Sequence, residues 1–231
     1  MSRTYLFWDI DGTLLSTARA GVFALEDACR EVLGHDVDLG RMRTAGMTDA
    51  EICRIIAEHE GAPPEAATEI LRAYARLIPG VLGRRQGQVM PNVPEILDTL
   101  AERDDVVNML LTGNVAEGAE AKLRHYGLWR HFQAGGAYSV EGSDRPSIAR
   151  RARELAAEHG GGDWPEGERM VVIGDTPHDI SCGKVIGART LAVATGPAYS
   201  LADLEACEPW RAVEELPPPG AFVALLGLGA G

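Results

Sequence analysis

Four short, nearly continuous apolar runs constrain the fold of this chain more than any other feature of its sequence. Apolar runs of this length predict strands that are buried on both faces, as in a parallel sheet that has helices on either side. The runs cover residues 4–10, 106–112, 169–174 and 189–195.

Helical patterns alternate with these strands. Residues 93–102 place Val93, Ile96, Leu97 and Leu100 on one face of a helix. The same spacing predicts helices over residues 115–125, 146–159 and 177–186. This alternation predicts an α/β fold with a doubly wound, Rossmann-like parallel sheet, in which ligands bind beyond the carboxyl ends of the strands.

The interval between the first strand and the rest of the sheet contains helical patterns only. Three helices are predicted there, over residues 22–33, 48–59 and 64–77, and the last is expected to end near Pro79 and Gly80. An all-helical insertion between two strands of a sheet is typical of a separate cap domain. We therefore predict a Rossmann-like core formed by residues 1–15 and 89–231, with a helical cap inserted over residues 16–88.

The charge balance narrows the range of partners. The 231 residues include 34 Asp and Glu against 22 Lys and Arg, which gives a formal net charge of −12. An acidic chain without a basic stripe lacks the surface that nucleic acids or anionic membranes require. The N-terminus does not form a signal-peptide pattern, and no apolar stretch reaches the roughly 18 residues that span a membrane. We expect a cytoplasmic protein that binds neither nucleic acid nor membrane, and the sequence leaves its oligomeric state open.

Two aspartates follow the first predicted strand, in the segment Asp9-Ile10-Asp11-Gly12-Thr13. In an extended backbone, residues i and i+2 point to the same side, so both carboxylates face one small volume. Such a pair is costly unless a cation neutralises it or one carboxyl group takes a proton. The residues alone leave open whether this is a functional site or a solvated exit from the strand.

Polar groups also follow the second strand, at Thr112-Gly113-Asn114. A hydroxyl group, exposed backbone and the start of a helix converge there, and helix N-termini favour anions. Asn114 with Glu117 also fits a capping box, in which Asn114 would only start the helix.

The third strand leads into the segment GDTPHD at residues 174–179. Asp175 lies at the strand end and offers the hard oxygen ligand that suits Mg²⁺. Thr176, Pro177 and Asp179 fit an N-cap, a first helical position and an acidic third position, so Asp179 also has a purely structural interpretation. The three polar segments are expected to meet at one edge of the sheet.

These motifs resemble those of the haloacid-dehalogenase-like (HAD) superfamily. Residues 9–13, 112–114 and 174–179 look like its first, second and fourth motifs, in the same order along the chain. The helical insertion is similar to the cap of phosphoglycolate-phosphatase-like members. The third motif of the family is a Lys or, less often, an Arg before the third strand. Arg145 matches it here, and Lys184 is the alternative.

The resemblance implies a catalytic role for three residues. Asp9 would be the nucleophile that forms an aspartyl-phosphate. Asp11 would protonate the leaving alcohol and then deprotonate the attacking water. Arg145 would supply a permanent cation to the phosphate and the aspartates.

The resemblance also implies binding roles. Mg²⁺ would be held by Asp9, the main-chain carbonyl of Asp11 and Asp175, with Asp179 as a further ligand or close support. The phosphate oxygens would be bound by Thr112, Gly113 and Asn114.

We therefore predict a Mg²⁺-dependent phosphomonoester hydrolase that acts on a small phosphorylated metabolite. Asp11 favours phosphoryl chemistry, because family members that cleave carbon–halogen bonds lack the second acidic residue. Two alternatives remain open, a sugar phosphomutase and a non-catalytic phosphate-binding module on the same fold. Arg41 and Arg43 are candidate substrate contacts from the cap.

Overall fold

The computed structural model describes residues 3–40, 42 and 44–229. Arg41 and Arg43 lie outside the described residues. None of the helices in the described part of the chain is long and apolar enough to cross a membrane. In chain order the elements are β1 (Thr4–Trp8), β2 (Leu15–Ser16), α1 (Ala20–Leu33), α2 (Asp49–His59), α3 (Glu65–Leu82), β3 (Gln88–Val89), α4 (Val93–Ala101), β4 (Val106–Leu111), α5 (Ala116–His125), β5 (Gly136–Ala137), α6 (Arg145–His159), β6 (Met170–Gly174), α7 (Pro177–Ile186), β7 (Arg189–Val193), α8 (Leu201–Glu205), β8 (Arg211–Val213) and α9 (Pro219–Leu225).

The main sheet has six strands in the order β5-β4-β1-β6-β7-β8. Every neighbouring pair in it is parallel. Strand β1 is central and pairs with both β4 and β6, so the ends of these three strands lie side by side. The structure confirms the predicted α/β fold with a doubly wound parallel sheet.

Both faces of the sheet are covered, which explains why its central strands are mainly apolar. Leu6 and Trp8 of β1 pack in one hydrophobic cluster together with residues of α4 and α9. Tyr5 and Phe7 point to the opposite face and pack with residues of α6 and α7. Consecutive strand residues alternate between two faces that are both buried. The strand therefore shows no alternation of polar and apolar residues.

Helices α1, α2 and α3 pack together over a separate hydrophobic cluster, which includes Leu25, Ile52 and Ile70. The chain enters and leaves this helical unit through the two-stranded antiparallel sheet β2-β3, in which Ser16 pairs with Gln88. The limits of the cap at residues 16 and 88 remain a prediction from the sequence, and we propose the same limits here.

Helix α3 extends beyond its predicted end. It runs through Pro79 to Leu82, whereas the sequence predicts a helix over residues 64–77 that ends near Pro79 and Gly80. An interior proline costs roughly 3 kcal/mol in a helix. Val81 and Leu82, beyond it, are buried in the cluster of the cap helices, and burying such a side chain is worth about 1.5–3 kcal/mol. Tertiary packing therefore offsets the local penalty.

Candidate active site

The carboxyl ends of β1, β4 and β6 bring the three polar segments together. Asp9 follows β1, Thr112 follows β4 and Asp175 follows β6. The backbone N–H of Asp9 donates to the carbonyl of Ile173, at 3.0 Å, and so joins the first segment to the third. A cavity of about 460 Å³ opens between this edge and helices α1, α2 and α3. Its polar lining includes Asp9, Asp11, Asn114, Lys122, Arg145 and Asp175.

Three buried carboxylates form the floor of the site. Asp9, Asp175 and Asp179 are at most 5% exposed, and one oxygen atom from each lies within 4.8 Å of the others. Burial first, and then the Asp179 carboxylate, raises the pKa of Asp9 to about 7. Burial and the neighbouring Asp9 raise the pKa of Asp175 to about 8. A cluster with such electrostatic repulsion can hold a divalent cation.

The Asp175 carboxylate accepts a hydrogen bond from one hydroxyl group. It lies in the space that two glycines leave open. The Thr13 hydroxyl donates to Asp175 Oδ1 at 3.0 Å. A Cβ atom on Gly12 would lie 2.3 Å from Asp175 Oδ2, and one on Gly196 would lie 1.8 Å from it. Gly12 also has φ of +89°, which disfavours any other residue. Glycine at position 12 is therefore required both for the turn and for the carboxylate beside it.

Arg145 is the cation that faces the carboxylates. It is the first residue of α6, which thus begins one residue earlier than predicted, and the Asp144 side chain caps the helix. Its NH1 atom lies 3.4 Å from Asp179 Oδ1, and its Nε donates to the carbonyl of Gly46 at 2.7 Å. Lys184, the alternative for this role, is exposed and donates to the carbonyl of Cys207. The structure therefore places Arg145, and not Lys184, at the site.

Asn114, which follows β4, does not cap the next helix, although its sequence pattern fits a capping box. The residue that caps α5 is Val115, which makes no side-chain capping bond. The Asn114 amide instead donates to Asp11 Oδ2 at 2.9 Å and to Thr112 Oγ1 at 2.8 Å. The Thr112 side chain lies near Asp9 and partly counteracts the rise in the pKa of Asp9 that burial causes. The second segment is therefore close to both aspartates of the first.

Asp179 caps a helix and also lies in the carboxylate cluster. Its Oδ2 accepts hydrogen bonds from the backbone N–H and the hydroxyl of Thr176, which completes a capping box at the start of α7. Its Oδ1 faces Arg145 within the carboxylate cluster. Capping therefore fixes the orientation of Asp179 toward the site.

Lys122 lies at the site and was missed in the sequence. Its side chain is 4% exposed, and its Nζ lies 2.6 Å from Asp11 Oδ2. It also contacts Asn114 Oδ1. Burial would lower the pKa of Lys122, but the carboxylate of Asp11 and the neighbouring Tyr74 and Asp49 outweigh it and raise the pKa. The available signal was the spacing of Asn114, Gly118 and Lys122, four residues apart and so on one helical face.

A segment of the helical unit packs against the second polar segment. The backbone N–H of Asp49 donates to the carbonyl of Gly113 at 2.8 Å. A Cβ atom on Gly113 would lie 2.5 Å from the carbonyl oxygen of Met47. The backbone N–H of Ala50 also donates to Ser139 Oγ at 3.2 Å. This close backbone approach places residues 44–50 directly over the site.

The sequence profile of the haloacid dehalogenase-like hydrolase family matches residues 6–184, which contain all three polar segments and Arg145. The chain belongs to this family. Membership confirms the resemblance seen in the motifs and the expectation that the chain is a hydrolase.

Among curated proteins, this HAD-family chain is similar to tyrosine-protein kinase PtkA of Mycobacterium tuberculosis. The two are 28% identical over 201 residues, which cover 86% of this chain. The chain spans 64% of the length of that relative.

The family fold recurs in solved structures of similar size. A CbbY variant from Rhodobacter sphaeroides, in complex with xylulose-(1,5)bisphosphate, superposes with a TM-score of 0.74 at 17% identity, covering 95% of this chain and 99% of that one. A hydrolase from Pseudomonas syringae superposes with a TM-score of 0.72 at 18% identity, covering 99% and 100% of the two chains. At these identities the likeness shows the shared fold.

Proposed function

We propose that this chain is a Mg²⁺-dependent phosphomonoester hydrolase with Asp9 as its nucleophile. The observation that carries the proposal is the placement of Asp9 in a buried carboxylate cluster, at the base of a cavity that also contains Asp11 and Arg145. A nucleophilic carboxylate, a second carboxylic acid and a cation are the groups that phosphoryl transfer through an acyl-phosphate requires.

The carboxylate cluster fits Mg²⁺. Asp9, Asp175 and Asp179 offer hard oxygen atoms close to one another, and Arg145, which lies 3.4 Å from Asp179, compensates only part of their negative charge. We propose Asp9, Asp175 and the main-chain carbonyl of Asp11 as ligands, with Asp179 as a further ligand or support. Mg²⁺ bound there would offset the repulsion between the Asp9 carboxylate and the phosphate.

The reaction has two steps that reuse the same two residues. An oxygen of Asp9 attacks phosphorus, the bond between phosphorus and the ester oxygen breaks, and Asp11 gives its proton to the leaving alcohol. Water then attacks the phosphorus of the aspartyl-phosphate and gives a proton to Asp11. The bond between phosphorus and Asp9 breaks, inorganic phosphate leaves, and both side chains return to their initial states.

The transferred phosphate is proposed to lie between the second polar segment and Arg145. Thr112, the backbone of Gly113 and Asn114 would bind its oxygens from one side, and the Arg145 guanidinium would add a permanent positive charge from the other. These groups also hold one another, because the Asn114 amide donates to both Thr112 Oγ1 and Asp11 Oδ2. Phosphate bound there would therefore also help to position the acid.

The cavity of about 460 Å³ suits a small phosphorylated metabolite. Val22, Leu25, Ile52 and Met47 contribute apolar area to its walls. A substrate of this size is in keeping with the sugar bisphosphate bound by CbbY. We do not expect nucleic acid or membrane partners, and the cytoplasmic location stays a prediction.

The decisive experiment measures inorganic phosphate released from p-nitrophenyl phosphate, with and without Mg²⁺. Wild type is expected to be active only with Mg²⁺, and Asp9→Asn is expected to be inactive while still folded. Asp104→Asn, at an exposed turn, is the matched control and should equal wild type. An Asp9→Asn variant with full activity would overturn the proposal.

Product analysis separates the alternatives. A phosphomutase would convert a sugar monophosphate to its isomer and would release much less inorganic phosphate than the amount of isomer formed. A binding module would take up phosphate, with no turnover of any substrate in a metabolite panel. Transfer of the γ-phosphate of ATP to tyrosine, as the name of the PtkA relative suggests for that protein, would identify a different acceptor from water.

A further inference from the structure

We propose that Lys122 is a positioning residue for Asp11, because its buried amine holds Oδ2 of that carboxylate and thereby directs Oδ1 at the leaving group. The inference rests on the proposed function, in which Asp11 is the general acid. It adds a residue outside the three polar segments and Arg145.

Lys122, Asn114 and Asp11 form a closed triangle of contacts. Lys122 Nζ lies 2.6 Å from Asp11 Oδ2, and Asn114 Nδ2 lies 2.9 Å from the same oxygen. Lys122 Nζ also donates to Asn114 Oδ1. Both donors bind Oδ2, so neither of them occupies Oδ1.

Asp11 needs such support because its own surroundings do not fix it. Its side chain is 42% exposed, whereas that of Lys122 is 4% exposed. A half-exposed carboxylate on a turn samples several rotamers. Lys122 projects from α5, whose neighbouring Ala119 and Leu123 are buried in the core of the sheet domain. The helix thus anchors, through Lys122, an acid whose side chain is partly exposed.

Two helices of the proposed cap cover the amine of this ion pair. A Cβ atom on Gly21, in α1, would lie 3.9 Å from Lys122 Nζ and 3.7 Å from the Tyr74 hydroxyl, which belongs to α3. The amine therefore lies beneath both helices. Because water screens an exposed ion pair far more than a buried one, the position of α1 and α3 sets how firmly Asp11 is held.

The test compares two leaving groups in a single turnover. Ethyl phosphate releases an alkoxide, which must be protonated as the bond breaks, whereas p-nitrophenolate is a stable anion that leaves without a proton. Lys122→Met removes the donor but keeps the length of the side chain. Lys184→Met, at an exposed lysine, is the matched control, and these are the two lysines of the chain.

For Lys122→Met we expect alcohol release from ethyl phosphate to slow by about 10²-fold, the scale of general acid catalysis. Release of p-nitrophenol should slow by less than about tenfold. The substrate concentration that gives half of the maximal single-turnover rate should be nearly unchanged for both substrates. Lys122→Arg, which keeps a cationic donor, should recover part of the loss on ethyl phosphate. Should Lys122→Met fail to fold, Lys122→Gln carries the same comparison.

Equal losses on both substrates, or no loss on either, would overturn the role of Lys122 while leaving the phosphatase proposal intact. Absence of turnover in wild type would instead contradict the phosphatase proposal itself. The wild-type measurement therefore separates failure of the inference from failure of the function on which it rests.

Discussion

The Asp49 carboxylate accepts a hydrogen bond from the backbone N–H of Val115, with 2.9 Å between Oδ2 and N. Asp49 is the first residue of α2, and Val115 precedes α5. The backbone N–H of Asp49 donates to the carbonyl of Gly113, so one residue of α2 is bonded at two points to the segment proposed to bind phosphate. The position of the helical unit over the site is therefore linked to the geometry of that segment.

This contact predicts a pH dependence of stability. Burial raises the pKa of Asp49 from its usual 3.8 to about 6. Between these values the folded state holds more protons than the unfolded state, so the contribution of Asp49 to stability falls as the pH rises. Asp49→Asn keeps an acceptor for Val115 but cannot titrate. In urea unfolding, the stability of wild type relative to this variant should decline from pH 4 to pH 6, and a constant difference would contradict the prediction.

Gly113→Ala should displace the segment above the site. Its Cβ would lie 2.5 Å from the backbone oxygen of Met47, so the two backbones must separate. Misplacement by about 1 Å can cost roughly 10²-fold in rate, and we expect kcat/KM for p-nitrophenyl phosphate to fall on that scale. The control is Gly118→Ala, on a helix where the nearest atom would lie at 3.4 Å. It should retain activity and gain up to about 1 kcal/mol in stability.

Sequence patterns predicted the elements of the fold that have strong local signals. Phe7 and Trp8 are adjacent and both fully buried, as expected for neighbouring residues of a strand with two covered faces. Strands β5 and β8, with two and three residues, have no periodicity and were not predicted. The predicted end of α3 was wrong. Leu82 is buried by packing against other helices, and local helix propensity does not include such packing.

Site residues were predictable where they cluster in sequence. Asp9 and Asp11 follow one strand, and their proximity is a local property. Lys122 reaches Asp11 across 111 positions, so its role depends on how α5 packs on the sheet. Asn114 fits a capping pattern, but its amide binds Asp11 and Thr112 instead, because tertiary hydrogen bonds compete with the local one.

Arg145 should stabilise the metal-free protein by compensating the buried carboxylates. Removing one partner of a buried ion pair typically costs about 3–5 kcal/mol, because the other charge is left unpaired. We expect Arg145→Met to lose stability on that scale in urea without Mg²⁺, and to recover part of it when Mg²⁺ is added. Arg150→Met, at an exposed position of the same helix, is the control. Equal stability of the two variants would contradict this account.

Mg²⁺ should bind more tightly as the pH rises from 6 to 8. The pKa values of Asp9 and Asp175 are raised to about 7 and about 8, so both carboxyl groups hold protons at pH 6 that the ion must displace. Displacing one proton changes the apparent affinity by up to about tenfold per pH unit. Calorimetric titration with Mg²⁺ at pH 6, 7 and 8 measures this change directly. Asp175→Asn removes one ligand and one titrating group, so its affinity should be lower and less dependent on pH. The exposed Asp163→Asn should behave as wild type, and an affinity that does not change with pH in wild type would show that these carboxyl groups are not the ligands.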